Sequence, residues 1–332
     1  MRIHFAFGDF FQEFNTSVFR AQIPSAELLA RGHDTTISHF NFLNEIEPPI
    51  DAVIVERNLF EPFVIDQIRR FKSLGVKVVA TWDDAYALMP ETVFSKRTWH
   101  EGNLHLFNRA LKLCTLGITP SKLLCQDYER YCKMAYVPNY FDESLYEGLQ
   151  KKSNDGQIGI VWGGNDTHLE SVLHSGILDA LHHVTRRNKR VVVHCVSANP
   201  KILRLFQDVL PPAQFRGYGW MPLEKWPAFV AEHADIGIAP LYGEYDRRRS
   251  WIKAVDFGML GIPLITSDYE PYRDLPVISV KNEVEEWQTA LRDMILSADW
   301  RDEVGARLKD AIQKLSIQKN VGVYEELCKP NS

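Results

Sequence analysis

Strand-length apolar runs recur along this chain, most of them followed by a stretch where apolar residues return every three or four positions. In the first half the runs fall at residues 3–7, 52–55, 76–81 and 116–119, and a further strand is expected at 35–38. In the second half they fall at 157–162, 190–196, 236–240, 263–266 and 277–280. Helices are expected between them at 23–30, 62–74 and 103–113, then at 168–184, 200–209 and 223–232. Gly32 and Gly75 stand where the first two would stop, and Pro62 stands at a first helical position. Further helices are expected from Ser250, at 283–296 and at 300–315. Strand and helix in alternation is the signature of α/β architecture with parallel sheets. Residues 147–156, EGLQKKSNDG, are polar and poor in large apolar groups, and read as a linker. The expectation is therefore two Rossmann-like domains, at 1–146 and 157–315, with a tail at 316–332.

The stretch from Ala234 to Asp268 organises the second half. An apolar run leads into a loop carrying Glu244, Asp246 and Arg247 to Arg249. Ser250 is placed to cap a helix bearing Lys253 and Asp256, and Gly261 and Pro263 end it. Ligands of parallel sheets bind at the carboxyl ends of strands, and helix N-termini attract anions. This helix start, with Arg249, Ser250 and Lys253, is either a diphosphate seat or a solvated basic loop.

Two other strand ends carry candidate chemistry. Asp83 and Asp84 directly follow the run at 76–81. They suit a sugar hydroxyl or a general base, and equally suit helix capping. No residue separates them, so they are not a D-x-D metal motif, and no metal is inferred. Gly163 and Gly164 follow the run at 157–162, where a bare backbone approaches a phosphate closely. His168 opens the next helix, as a phosphate donor or as a structural side chain.

Composition narrows the classes. The 332 residues suffice for two domains, and 45% hydrophobic with 24% charged residues is ordinary for a globular protein. A net charge of -5 does not favour nucleic acid or an anionic membrane. The five cysteines form no CxxC pair, and scattered reduced thiols fit a cytoplasmic protein. No signal peptide and no run of eighteen apolar residues is seen.

The segment ending at Asp268 resembles the last nucleotide-binding segment of GT-B-fold glycosyltransferases, the family-4-like group. The pattern "aD-x-x-x-x-P" followed by "G-x-P-x-x-x-S/T" is carried here by Ala234, Asp235, Pro240, Gly261, Pro263 and Ser267. The close of the first domain is similar as well. "V-P-N-x-x-D-x-x-x-Y/F" appears as Val137, Pro138, Asn139, Asp142 and Tyr146. "L-L-A-R-G-H-D" at residues 28–34 resembles the run after the first helix of that superfamily.

The resemblance implies two domains facing across a cleft, with the tail crossing back to the first domain. It implies a nucleotide sugar, UDP- or GDP-linked, as co-substrate rather than a bound cofactor. Loop 8–20 would then approach the acceptor, through Asp9, Phe11, Asn15 and Arg20, with Phe10, Phe14 and Phe19 lining the site or packing the core. Tyr218 or Trp220 would stack on the base or pack the core. Asp256 would take the ribose hydroxyls, in place of the glutamate usual there.

Departures stand beside these matches. Arg248 occupies the position of the glutamate that touches the transferred sugar, and Glu244 or Asp246 would have to stand in for it. Gly164 and His168 stand where an Arg/Lys pair is usual, so Lys253 and an arginine would carry the diphosphate. The expected function is metal-independent glycosyl transfer with retention, to a glycan or small-molecule acceptor. In an inverting enzyme Asp83 or Asp84 would be the base. The alternatives are a non-catalytic sugar-nucleotide-binding subunit and a transferase acting on a hydroxylated base in DNA. The latter would use the basic segments at 186–190 and 247–249.

Overall fold

A computed structural model describes residues 1–8, 17–152 and 156–330. The first half builds one sheet from β1 (Arg2–Phe7), β2 (Asp34–His39), β3 (Ala52–Glu56), β4 (Lys77–Thr81), β5 (Leu116–Thr119) and β6 (Met134–Tyr136). Helices α1 (Ile23–Ala30), α2 (Pro62–Ser73), α3 (Glu101–Leu111) and α4 (Lys122–Tyr128) connect these strands. The strand order is β2-β1-β3-β4-β5-β6, and every pairing is parallel. β3 is buried along its whole length, and so reads as a continuous apolar run. β2 is one of the two edge strands, largely solvent-facing, and its sequence DTTISH is correspondingly polar.

The second half repeats the plan. Its strands are β7 (Ile158–Gly163), β8 (Val191–Val196), β9 (Phe215–Tyr218), β10 (Ile236–Ala239), β11 (Leu264–Ser267) and β12 (Ile278–Val280). Between them lie α5 (Leu169–His174), α6 (Ile177–Arg187), α7 (Pro200–Val209), α8 (Trp226–His233), α9 (Gly243–Asp246) and α10 (Ile252–Gly258). Then come α11 (Val284–Leu296) and α12 (Ala298–Ile312). The order is β12-β11-β10-β7-β8-β9, again all parallel. The fold is thus α/β, with two Rossmann-like units. Among the described residues no helix is long and apolar enough to cross a membrane.

The single helix expected at 168–184 is two. Gly176 separates α5 from α6 with a left-handed φ of 82°, and a Cβ there would stand 3.1 Å from the Val284 nitrogen at the start of α11. A glycine is required both by the backbone and by the neighbour. The helix expected from Ser250 begins two residues later, at Ile252. Ser250 does not cap it, because its Oγ accepts from Asn139 Nδ2 of the first half at 3.2 Å.

After α12 the chain returns to the first sheet. Helices α13 (Ile317–Asn320) and α14 (Gly322–Cys328) place Ile317, Val321, Tyr324 and Cys328 in one apolar cluster with Ile3, Phe5 and Ile54. Phe141 and Ser316 form a parallel bridge, and Arg31 donates to the Gln318 carbonyl at 2.6 Å. The halves also meet directly. Tyr245 of α9 is buried in the core of the first half. Arg248 bonds Asp127 at 2.5 Å, Lys122 bonds Asp274 at 2.7 Å, and the Phe94 amide donates to Asp166 at 3.0 Å.

Candidate active site

A cavity of about 310 Å3 opens between the halves, walled by residues of both. Its second-half wall is built on the carboxyl ends of β7, β8 and β10, through Gly163 and Gly164, Val196 and Leu241. The chain leaves β7 for β8 on one side and places β10 on the other. That divergence is the point at which open α/β sheets bind ligands.

Both glycines have a packing reason. A Cβ on Gly163 would stand 2.7 Å from the Trp226 ring, and one on Gly164 would stand 2.8 Å from both the Trp162 and His168 rings. The turn has no room for side chains because three aromatic rings close in on it, two of them, Trp226 and His168, on the cavity wall. The sequence supplied the glycine pair but not these partners, which lie in separate elements.

Lys253 reaches this turn from the first turn of α10. Its ammonium donates to the Gly163 carbonyl and stands 5.8 Å from the centre of the Trp162 ring. Burial lowers its pKa to about 8, with Arg249 acting the same way and Asp256 opposing. Asp256 lies one turn further on the same cavity wall. Burial raises its carboxyl to about 6, against the pull of Lys253 and a hydrogen bond with Trp226.

Arg249 is held from three directions. Nε donates to Asp246 at 2.6 Å, Nη2 to the Thr167 carbonyl at 2.9 Å, and Nη1 lies 3.4 Å from His168 Nε2. Asp246 is itself buried, accepting from the Ser171 hydroxyl and from the Tyr242 amide at 2.9 Å. His168 is buried edge-on against Trp162. Burial, then Arg249 and Lys253, hold its pKa well below the ordinary imidazole value. It is therefore neutral near pH 7, able to offer a hydrogen bond but no charge, and its Nδ1 has no protein partner.

The facing wall belongs to the first half. Asp83 and Asp84 follow β4, and both bond Arg57 Nη2, at 3.0 and 3.2 Å. Arg57 adopts a left-handed φ of 57°, an uncommon conformation for a residue with a side chain. Asp84 also accepts from the Tyr245 hydroxyl at 2.7 Å. Burial, then the charge of Asp83, raises the Asp84 pKa, while Arg57, Arg249 and the Tyr245 bond oppose the rise. Phe19 and Asn139 complete this side, and Ser250 faces Asn139 across the gap.

The remaining sequence candidates lie elsewhere. Arg20 is fully buried, donating to Thr81 Oγ1 at 2.8 Å and to the Val137 carbonyl at 2.6 Å, and it is not on the cavity wall. Tyr218 stacks on His194 and bonds its Nδ1 at 3.1 Å, away from the cavity, whereas Trp220 lines it. Glu244 is exposed and paired with Arg247 and Arg248, outside the cavity. Of the three consecutive arginines only Arg249 faces the site. Arg247 bonds Glu270 at 2.6 Å, and Arg248 is turned to Asp127. Asp9, Phe11 and Asn15, with Phe10 and Phe14, lie outside the described residues. Sequence reasoning missed Tyr245 and Trp226 as site residues. An aromatic in a charged loop carries no local sign of which half it will enter.

Comparison with solved structures shows the fold. The chain is similar to WaaG, a glycosyltransferase involved in lipopolysaccharide biosynthesis, with a TM-score of 0.66 at 13% identity over 99% of this chain and 100% of that one. It is similar to S. aureus TarM, solved in complex with UDP, with a TM-score of 0.63 at 10% identity over 88% of this chain and 58% of that one. It is also similar to the UDP-GlcNAc 2-epimerase of Neisseria meningitidis bound to UDP-GlcNAc, with a TM-score of 0.55 at 11% identity over 98% and 99%. The two facing Rossmann-like domains are of the GT-B type. No family model matches the chain, and no curated protein matches it.

Proposed function

We propose that the chain is a glycosyltransferase that moves a sugar from a UDP- or GDP-linked donor to an acceptor hydroxyl. One observation carries this reading. The cavity at the β7/β10 divergence has Lys253 and Arg249 on one wall and the Asp83–Asp84 pair on the other. A cation beside a bare glycine turn suits a diphosphate, and carboxylates opposite suit a sugar or acceptor hydroxyl. The solved structures of similar fold that bind UDP or UDP-GlcNAc support the same donor class.

In this reading the second half holds the donor. Lys253 and Arg249, with His168 as a neutral donor, stabilise the departing diphosphate without a metal. Asp256 accepts from the ribose hydroxyls, and Trp220 covers the base. Asp83 and Asp84 meet the acceptor. Transfer with retention asks for no protein nucleophile, and in an inverting reaction Asp84 or Asp83 takes the acceptor proton. The acceptor is a glycan or a small molecule.

A second reading is a non-catalytic sugar-nucleotide-binding subunit. The Arg248–Asp127 pair favours it, because the segment that would present a glutamate to the transferred sugar presents an arginine turned away from the cavity. Release of free nucleoside diphosphate from UDP-glucose, UDP-GlcNAc and GDP-mannose separates the two. Turnover of any one donor supports the enzyme, binding without turnover in the presence of varied acceptors supports the subunit, and failure to bind any donor contradicts both.

A further inference from the structure

Tyr245 belongs by sequence to the second half and by packing to the first. Helix α9 carries its ring across the cleft into the apolar core behind β3 and β4, where it is almost fully buried. There its hydroxyl donates to Asp84 Oδ1 at 2.7 Å. The other Asp84 oxygen faces Arg57 Nη2 at 3.2 Å, which also holds Asp83 at 3.0 Å. On the opposite side, the Arg249 guanidinium lies 4.9 Å from the centre of the Tyr245 ring while bonding Asp246 and the Thr167 carbonyl. One side chain therefore touches a carboxylate of one wall and a cation of the other.

We propose that Tyr245 is a positioning residue that fixes the Asp84 carboxylate for reaction only when the two halves are docked. The inference rests on the transferase reading and deepens it. A carboxylate with two oxygens has few orientations left once one accepts from a rigid phenol and the other from a guanidinium. The phenol comes from the donor-binding half, so the acceptor-side acid is completed by the approach of that half. Separation of the halves removes the donor and frees the carboxylate to rotate. Groups acting on Asp84 come from each element around it. They are Asp83 on its own loop, Arg57 after β3, Tyr86, and Tyr245 and Arg249 from the second half. Tyr86 meets Asp84 by charge without a hydrogen bond, and Glu56 acts on Arg57 and Tyr86.

Tyr245→Phe tests this, because it keeps the ring in the core and removes only the donor. The carboxyl titration of Asp84 is followed by 13C NMR in aspartate-labelled full-length protein, with the signal assigned from Asp84→Asn. The expected result is a rise of about one pH unit in Tyr245→Phe, since a bond that favours the charged form is lost. Turnover should fall about tenfold with the donor KM unchanged, and its acidic limb should move to higher pH with the titration. An unchanged titration overturns the inference. So does a fall in turnover with an unmoved titration, which ring packing alone would explain. The NMR arm needs no substrate. A shifted titration in a protein that turns over no sugar nucleotide keeps the coupling and contradicts the transferase reading.

Discussion

Lys253, on the first turn of α10, donates its ammonium to the main-chain oxygen of Gly163 at the end of β7. The bond holds a positive charge at the mouth of the turn where the second sheet diverges. Burial makes that charge unfavourable in the folded protein, and the pKa falls to about 8 from an ordinary 10.5.

Between about pH 8 and 10.5 the unfolded chain binds the Lys253 proton and the folded chain does not. The destabilising contribution is complete below pH 8 and vanishes as pH rises to 10.5, so stability rises with pH across that window. Lys253→Met should be more stable than the parent at pH 7, with the rise across the window flattened. Chemical denaturation at several pH values checks this. A Lys253→Met protein less stable at pH 7 would mean that the bond to Gly163 outweighs the burial of the charge.

Asp84 and Asp83 share Arg57 and face the cavity from the first half. Asp84→Asn should lower turnover by about a hundredfold while leaving donor affinity within about twofold, because the residue stands on the wall away from Lys253. Asp83→Asn should act in the same direction. Separate measurement of kcat and of donor dissociation decides it. A matched loss of donor affinity would place these carboxylates on the donor instead.

Arg20 was a candidate for the acceptor by its place in the loop after β1, yet it is sealed inside the first half. Its guanidinium ties the end of β4 to the turn at Val137 and Asn139. Arg20→Met leaves those acceptors without a donor, at a cost of about 3 kcal/mol. The melting temperature should fall with ligand affinity unchanged. Intact stability with weakened binding would return Arg20 to the site.

Most strands were legible because a parallel sheet covered on both faces leaves no polar positions to interrupt an apolar run, as in β3 and β8. Boundaries failed where the deciding partner is distant in sequence. Gly176 breaks a helix because α11 lies against it, and Ser250 leaves its cap position for Asn139. The same limit governs the cavity wall. The glycine turn, Lys253 and the aspartate pair were recognisable from their positions at strand and helix ends, and Asp256 only through the family resemblance. Three adjacent arginines gave no hint that they point to three carboxylates in three directions, Glu270, Asp127 and Asp246.

In the proposed reading a nucleoside diphosphate sits against Lys253 in the cavity between the halves. Calorimetric titration of the parent and of Lys253→Met with UDP and GDP at pH 7 tests it most directly. One of the two should bind at a single site, and the substitution should weaken it by about tenfold or more, the loss of one charge-assisted hydrogen bond. Equal binding to the two proteins, or no binding of either nucleotide, would contradict it.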